Sequence, residues 1–218
     1  MGGVALFDMD KTLVGKNTWD LYTRFRKDRG EVGFRTRLRT SLWLGQYALG
    51  IINAQKVAER ALLDLSGVDA GAFSALLETW FRDYVLRHVR ADARSSVERH
   101  RAAGDTIIIV TAATRFAATP LAKELGIEHL VCTELEQKAD GKLTGKMIAP
   151  LCYGSGKIAR TQRLLGEIGG ALEHATFYSD SITDLPLLER VGKPVAVCPD
   201  RRLSRVAATR GWRIEDWH

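Results

Sequence analysis

The 218-residue chain is short of the features that stabilise small secreted proteins or anchor membrane proteins. Its three cysteines form no C-x-x-C pair, which argues against a disulfide framework or a zinc site. It has only five prolines and is 45% hydrophobic, which excludes a disordered chain. The longest apolar-leaning stretch, 41–52, is too short to cross a bilayer, and the N-terminus has no signal-peptide pattern. We therefore expect a cytoplasmic globular protein with one well-buried domain, or one domain with a sizeable insertion.

Charge is unevenly distributed along the chain, whose formal net charge is +6. Residues 22–40 contain seven basic and two acidic side chains, a net charge of +5. A solvated helix face is the favoured interpretation of such a run. Two alternatives stay open: steering of an anionic substrate, or a less favoured peripheral contact with an anionic membrane, next to Trp43 and Tyr47. Nucleic acid is not an expected partner, because the charge is local and no stacking aromatic motif accompanies it. The oligomeric state is not predicted.

Strand-like and helix-like stretches alternate over most of the chain. Short runs rich in β-branched residues predict strands at 4–8, 106–111, 129–133, 175–179 and 194–198. Helix-like stretches are found at 92–103, 114–125, 155–168 and 183–190. This alternation predicts an α/β fold with a doubly wound parallel sheet covered on both faces.

The exception is 15–90, which contains no convincing strand. The apolar spacing over 73–84 predicts an amphipathic helix, and Phe34, Leu38 and Leu42 suggest another. We therefore expect a core domain formed by 1–14 and 91–218, and an all-helical cap domain formed by 15–90. An Asp-Gly turn within 136–147 predicts a small β-hairpin.

The run "ALFDMDKTLV" (5–14) ends a predicted strand in two aspartates, Asp8 and Asp10. Residues i and i+2 of a strand share a face, so both carboxylates emerge on one side. Like charges held that close are costly unless a cation or a reaction requires them. A pair of solvated turn carboxylates is the alternative interpretation.

Three further fragments follow at the ends of later strands or at the starts of helices. Thr111 ends a strand, where a hydroxyl and backbone N–H groups can bind an anion, although an ordinary helix cap is the favoured interpretation of this fragment alone. Lys157 follows two glycines at a helix start and can reach an oxyanion, or can be a solvated lysine. Asp180 and Asp184 can supply oxygen ligands to Mg²⁺, or can cap a helix. A doubly wound topology brings all of these ends together at one edge of the sheet.

With this order of motifs, the chain resembles the haloacid dehalogenase-like superfamily, whose four motifs match Asp8/Asp10, Thr111, Lys157 and Asp180/Asp184. The segments "FDMDKTLV", "GDTIIIVTAAT", "GKLTGK" and "YSDSITDLPLL" are similar to its subfamily IB, the phosphoserine phosphatase-like branch. The resemblance covers nearly the whole chain. It implies a Rossmann-like core with a helical cap of the C1 type.

The resemblance also implies a mechanism. Asp8 would attack phosphorus to form an aspartyl-phosphate, and Asp10 would act as acid and then as base. Thr111, the Ala112 backbone and Lys157 would hold phosphate oxygens. Mg²⁺ would be bound by Asp8, the Asp10 carbonyl and Asp180, with Asp184 completing or supporting the set of ligands.

The substrate is less well defined by the resemblance than the reaction. At the position where phosphoserine phosphatases use a glutamate to bind the substrate ammonium, this chain has Asn17, which cannot neutralise that charge. Arg60 is matched to a cap arginine that binds the substrate carboxylate. A small phosphomonoester substrate is expected, with histidinol phosphate or a lysophospholipid as alternatives. A non-catalytic, membrane-peripheral binding module is the alternative from another class.

Overall fold

A six-stranded parallel sheet forms the centre of the computed structural model, which describes residues 2–31 and 54–218. Its strand order is β3-β2-β1-β6-β7-β8. The strands are β1 (Val4–Phe7), β2 (Thr106–Thr114), β3 (His129–Thr133), β6 (Ala175–Ser179), β7 (Lys193–Val197) and β8 (Arg213–Glu215). All neighbouring pairs are parallel. The predicted doubly wound parallel sheet is therefore confirmed.

Helices cover both faces of this sheet because its strands are apolar on both sides. They are α1 (Thr18–Asp28), α2 (Ala54–Leu62), α3 (Ala70–Trp80), α4 (Ala91–Ala102), α5 (Arg115–Glu124), α6 (Ser155–Ile168), α7 (Leu185–Leu188) and α8 (Arg201–Arg210). Phe7, Ile109 and Tyr178 belong to the core on one face of the sheet. The preceding residues in the same strands, Leu6, Ile108 and Phe177, belong to the core on the other face.

Between β1 and α4, the described residues form α1, α2 and α3, with a 3-10 turn (Leu63–Leu65) before α3 and short turns of π-helix (Phe81–Val85) and 3-10 helix (Leu86–His88) after it. The amphipathic helix predicted over 73–84 is therefore an α-helix only up to Trp80, and its last residues form the π-helical turn. The second predicted helix, at Phe34, Leu38 and Leu42, lies outside the described residues. The division into a core domain (1–14 and 91–218) and a cap domain (15–90) stays a prediction.

The predicted hairpin is present, formed by the antiparallel strands β4 (Leu135–Gln137) and β5 (Leu143–Met147). Gly141 has a φ of +80°, which its Asp-Gly turn requires. The hairpin contacts the chain before α3, since the Gly67 N–H donates to the Leu143 carbonyl at 2.8 Å and the Ala70 N–H donates to the Gly141 carbonyl at 3.0 Å.

Two further elements differ from the sequence predictions by more than a residue or two, and one strand had no prediction. The strand predicted at 106–111 continues to Thr114, and the helix predicted over 183–190 is a 3-10 turn (Ile182–Asp184) followed by the four-residue α7. The strand β8 had no prediction, because three residues are too few to show a periodicity. Across residues 2–31 and 54–218, no helix is long and apolar enough to span a bilayer.

Candidate active site

Asp8 is the first residue after β1, and it is buried. Its backbone N–H donates to the Tyr178 carbonyl at 2.9 Å, so the pairing of β1 with β6 continues through the aspartate. This bond fixes the backbone of Asp8 against the neighbouring strand. Its side chain emerges at the carboxyl edge of the sheet, which is the edge at which sheets of this topology bind ligands.

Asp10 lies in the turn that follows β1 and contacts the start of α1. Its Oδ1 accepts a hydrogen bond from the Thr18 backbone N–H at 2.6 Å. An N–H at a helix start has no partner within the helix and lies at the positive end of the helix dipole, so it stabilises a carboxylate. The first helix of the insertion therefore orients the second aspartate of the pair.

Lys157 connects two of the predicted acids. Its Nζ lies 2.6 Å from Asp8 Oδ1 and 2.7 Å from Asp184 Oδ2, and its side chain is only 3% exposed. Ser179 extends the network, since its hydroxyl also donates to Asp184 Oδ2, at 2.7 Å. Sequence reasoning missed Ser179, although it is the last residue of the strand that leads into the Asp180 motif.

Close packing at the start of α6 explains one of the two glycines before Lys157. A Cβ on Gly156 would lie 2.0 Å from the Leu151 carbonyl oxygen, which is far closer than any real contact. Only glycine lets the first turn of α6 approach the preceding loop this closely. The approach directs the lysine towards the sheet edge rather than towards solvent.

Burial and neighbouring charges oppose one another at these ionisable groups. Burial raises the pKa of Asp8 well above its usual value, although Lys157 acts to lower it. Burial also raises the pKa of Asp10, against the Thr18 hydrogen bond. For Lys157, burial acts to lower the pKa, but the carboxylates of Asp184 and Asp8 outweigh it and the pKa is raised. The lysine therefore stays charged and helps to keep the Asp8 carboxylate ionised.

Asp180 is buried just beyond the end of β6. Burial raises its pKa to about 7, although the positive charge of Lys11 acts to lower it. Its backbone is held by Asp200, whose N–H donates to the Asp180 carbonyl at 2.8 Å and whose Oδ2 accepts from the Ile182 N–H at 2.8 Å. Sequence reasoning missed Asp200; its position at the N-cap of α8 was the available signal.

The acid set can offer Mg²⁺ one or two carboxylates rather than a full set of protein ligands. Among residues 2–31 and 54–218, no group of three or more His, Cys, Asp or Glu side chains is placed so that it could hold a metal ion. Mg²⁺ usually takes one or two carboxylates and keeps several waters. A buried carboxylate such as Asp180, whose charge is disfavoured by burial, is suited to such an ion.

Thr111 lies near the end of β2 and is buried, whereas Ala112 is exposed. The Thr111 Oγ1 accepts from the Ala113 N–H at 3.1 Å. The N-cap of α5 is Thr114, so the interpretation of Thr111 as an ordinary helix cap is wrong. Because Phe7 and Ile109 form the last pair between β1 and β2, Asp8 and Thr111 both lie just beyond the carboxyl end of that pairing.

The two residues predicted to bind the rest of the substrate lie in the insertion. Asn17 is the N-cap of α1, and its Oδ1 accepts from the N–H groups of Trp19 at 3.0 Å and Asp20 at 3.3 Å. An asparagine directly before an amphipathic stretch is a recognisable capping signal, which the sequence reasoning did not use. Arg60 lies in α2. Substrate contact by either residue stays a prediction.

The basic stretch is described only up to Glu31. Within that part, several side chains form ion pairs on the surface of the chain: Arg24 with Asp28 at 3.9 Å, Arg26 with Glu31 at 3.6 Å, and Arg29 with Glu31 at 2.5 Å. This pairing agrees with a solvated helix face. Arg35, Arg37, Arg39, Trp43 and Tyr47, which the membrane alternative needs, lie outside the described residues.

A doubly wound sheet with buried acids and a buried, charged lysine at its carboxyl edge is an arrangement that suits a site for an anionic ligand. A family model described as haloacid dehalogenase-like hydrolase matches residues 5–189. The chain belongs to this family and is a phosphatase-type hydrolase within it.

Three relatives illustrate the range of similarity. A histidinol-phosphatase of Neisseria meningitidis is 29% identical over 98% of both chains. A phosphoserine phosphatase of Mycobacterium tuberculosis is 30% identical over 98% of this chain and 70% of its own length. The crystal structure of a protein of unknown function from Bordetella pertussis Tohama I matches with a TM-score of 0.92 at 32% identity, covering 99% of both chains.

Proposed function

We propose that this protein is a Mg²⁺-dependent phosphomonoesterase that acts through an aspartyl-phosphate on a small phosphorylated metabolite. The observation that carries the proposal is the contact of Lys157 with both Asp8 and Asp184 at the sheet edge. A lysine that is buried and charged beside a carboxylate suits a site that collects further negative charge during the reaction. A phosphoryl group supplies that charge.

In the first step, a carboxylate oxygen of Asp8 attacks phosphorus and the bond to the leaving oxygen breaks. Asp10 gives its proton to that oxygen, which becomes an alcohol. The raised pKa of Asp10 favours the protonated form that this role requires. The charge of Lys157, next to Asp8 Oδ1, stabilises the equatorial phosphoryl oxygens, and Thr111 with the Ala112 backbone is assigned to the same task.

In the second step, Asp10 is a carboxylate and takes a proton from water. The water oxygen attacks phosphorus, the bond to Asp8 breaks, and inorganic phosphate leaves. The hydrogen bond from Thr18 keeps Asp10 Oδ1 in one orientation for both proton transfers. Asp8, the Asp10 carbonyl and Asp180 would hold Mg²⁺, with Asp184 in support through its contact with Lys157. When bound, the ion supplies positive charge that offsets the repulsion between substrate and carboxylates.

The nucleophile is tested with Asp8→Asn. This variant should lose Mg²⁺-dependent hydrolysis of p-nitrophenyl phosphate by about 10⁴-fold or more, because an amide cannot form the covalent intermediate. It should still unfold in one cooperative thermal transition, because an amide of similar size replaces a carboxylate whose charge is disfavoured by burial. Asp140→Asn is the matched control: it makes the same chemical change in an exposed hairpin turn, where Asn-Gly is equally suitable. Retention of activity by Asp8→Asn would refute the assignment.

Phosphoserine and histidinol phosphate are the two main substrate candidates. The M. tuberculosis relative supports the first and the N. meningitidis relative, which matches over nearly the whole of both chains, supports the second. A panel of phosphoserine, histidinol phosphate, lysophosphatidate and sugar phosphates, each with Mg²⁺, ranks them by kcat/KM. Equal turnover of all four would contradict a selective metabolite phosphatase.

Asn17→Asp then examines whether position 17 contacts a substrate ammonium. Aspartate is as good an N-cap as asparagine, so α1 should keep its start. If the side chain faces the substrate, the added carboxylate should improve kcat/KM for phosphoserine and leave p-nitrophenyl phosphate unchanged. The same response for both compounds would exclude a specific contact at this position.

A further inference from the structure

Arg90 lies where the helical insertion returns to the sheet, beside the turn that follows Asp10. Its backbone N–H donates to the Leu13 carbonyl at 3.0 Å, and nearby the Gly15 N–H donates to the His88 carbonyl at 2.8 Å. The outgoing and returning connections of the insertion are therefore hydrogen-bonded to one another. Arg90 is the N-cap residue of α4, so its backbone position is set by that helix.

The Arg90 guanidinium joins two segments that are far apart in the sequence. Its Nη1 donates to the Trp217 carbonyl, and its Nη2 donates to the Lys11 carbonyl at 3.3 Å. Its Nε is buried and has no hydrogen-bond partner within the described residues. A Cβ on Gly15 would lie 3.5 Å from this Nε, which is an ordinary van der Waals contact. The two Nη atoms of the planar fork each reach a separate carbonyl, whereas a lysine would have to reach both carbonyls from one nitrogen atom.

The Trp217 end of this bridge is firmly anchored. The Trp217 side chain is 4% exposed and packs at 5.4 Å from the ring of Tyr178 and 6.5 Å from that of Phe7, the residue before Asp8. Its backbone N–H donates to Cys198 Sγ at 3.2 Å. The His218 carbonyl accepts from the Ala91 N–H at 2.9 Å. The Trp217 carbonyl is therefore a fixed point in the core.

The Lys11 end is the strained part of the bridge. Lys11 directly follows Asp10 and has a φ of +56°, a left-handed conformation that is costly for a lysine. Such a conformation persists only where surrounding contacts enforce it. The Lys11 N–H donates to the Lys16 carbonyl at 3.3 Å, and Arg90 holds the Lys11 carbonyl. Loss of the Arg90 contact would free one side of the turn that sets the direction of Asp10.

We propose that Arg90 is a positioning residue that ties the turn after Asp10 to the anchored Trp217 carbonyl. Through the Lys11 backbone, it holds the Asp10 carboxyl in the place from which it protonates the leaving group. This inference rests on the proposed role of Asp10 as the general acid.

The test compares kcat/KM for two aryl phosphates that differ in their need for a proton. Phenol, with a pKa of about 10, is a poorer leaving group than p-nitrophenol, which departs readily as the anion. Arg90→Met should lower kcat/KM for phenyl phosphate about tenfold and for p-nitrophenyl phosphate less than about twofold. Partial unfolding would lower both values by the same factor. Equal losses, or no loss, would therefore overturn the proposal.

Two further variants sharpen the comparison. Arg90→Lys keeps the charge but has one nitrogen in place of two, so we expect that it does not hold both carbonyls. It should therefore show the same substrate bias as Arg90→Met, which is a larger loss of kcat/KM for phenyl phosphate than for p-nitrophenyl phosphate. Full recovery by lysine would overturn the bridging role. Arg87→Met is the matched control, because Arg87 is an exposed arginine three residues before Arg90 and lies over the ring of Tyr84. This variant should change kcat/KM for the two aryl phosphates by the same factor.

Asp10→Asn separates this inference from the proposed function. It should show the same substrate bias in a larger form. If it shows none, the general-acid role fails and the Arg90 inference falls with it. If Asp10→Asn shows the bias and Arg90→Met does not, only the Arg90 inference is overturned.

Discussion

Two polar networks, one buried and one half-buried, contact the same pair of central strands and are built in opposite ways. At the carboxyl edge of the sheet, Lys157 joins Asp8 and Asp184. In the core on one face of the sheet, His100 Nδ1 lies 2.7 Å from Asp105 Oδ2, and its Nε2 lies 2.9 Å from the Tyr178 hydroxyl. Both networks join residues that are distant in sequence.

The networks differ in how the protein treats the charge of their acids. The hydrogen bond to His100 is the main cause that lowers the pKa of Asp105, and the Gly3 N–H adds a bond to its Oδ1 at 2.6 Å. Burial is the main cause that raises the pKa of Asp8. The fold therefore stabilises the charge of Asp105 but works against the charge of Asp8. Groups whose charge is disfavoured by burial are typical of functional sites, because ligands or reactions supply the compensation.

Replacement of Lys157 should give the largest effect on this comparison. Lys157→Met leaves two buried carboxylates without their cation, which we expect to cost about 3–5 kcal/mol of stability. We also expect kcat to fall about 10²–10³-fold, because a charge beside the transferred phosphoryl group is lost. Chemical denaturation and p-nitrophenyl phosphate kinetics measure the two effects. Lys146→Met, at an exposed position in β5, should change neither.

The pH dependence of Mg²⁺ binding should give an intermediate effect. Because burial raises the pKa of Asp180 to about 7, this carboxyl takes up a proton as the pH falls from 8 to 6. A ligand must lose its proton to bind a cation, so the affinity for Mg²⁺ should fall by about tenfold per pH unit below pH 7. Isothermal titration calorimetry with Mg²⁺ alone measures this. An affinity that is constant from pH 8 to pH 6 would contradict the assignment of Asp180 as a ligand.

Disruption of the second network should have the smallest effect on the rate. His100→Phe keeps an aromatic ring against Phe7, where the ring centroids are 5.8 Å apart, but it removes the ring nitrogens that contact Asp105 and Tyr178. We expect a loss of about 1–3 kcal/mol of stability, with kcat/KM changed by less than about twofold. A large loss of kcat/KM at full folding would show that the two networks are not functionally separate.

The acid dependence of stability sharpens the same comparison. The pKa of Asp105 is lowered in the folded protein, so its contribution to stability is present above its unfolded pKa and is lost as the pH falls through the folded value. Below about pH 5, wild-type stability should therefore fall more steeply than that of His100→Phe. Denaturant midpoints measured from pH 6 to pH 3 test this, and parallel slopes would contradict it.

Much of the candidate site could be predicted from the sequence because its residues lie next to strand ends. Asp8 and Asp180 directly follow the carboxyl ends of β1 and β6, and Thr111 lies just beyond the last pair between β2 and β1; the topology alone brings these positions together. Lys157 could be predicted as a site residue from the glycines before it. The contacts of Lys157 with Asp184 and Asp8 could not be predicted from the sequence. These partners are 27 and 149 residues away, and such pairing depends on how the chain packs.

Other contacts have only a weak signal in the sequence, or none. Asn17 could have been recognised as a helix N-cap from the sequence, since its position before α1 follows a known preference. His100 and Arg90 have no comparable local signal. The partner of His100, Tyr178, is 78 residues away, and the partner of Arg90, Trp217, is 127 residues away. The short strand β8 likewise has no local signal, because it consists of only three residues.

The sequence by itself determined the parallel sheet, the hairpin and the order of the acidic motifs, and it predicted helices for the described residues between β1 and α4. These follow from short-range periodicity and from which residue types end each strand. Only the tertiary structure decided which charged side chains are paired and which carboxyl groups have a raised pKa. It also decided which residues contact the turn after Asp10. The physical reason is that burial and ion pairing depend on contacts between distant segments, which a local pattern does not contain.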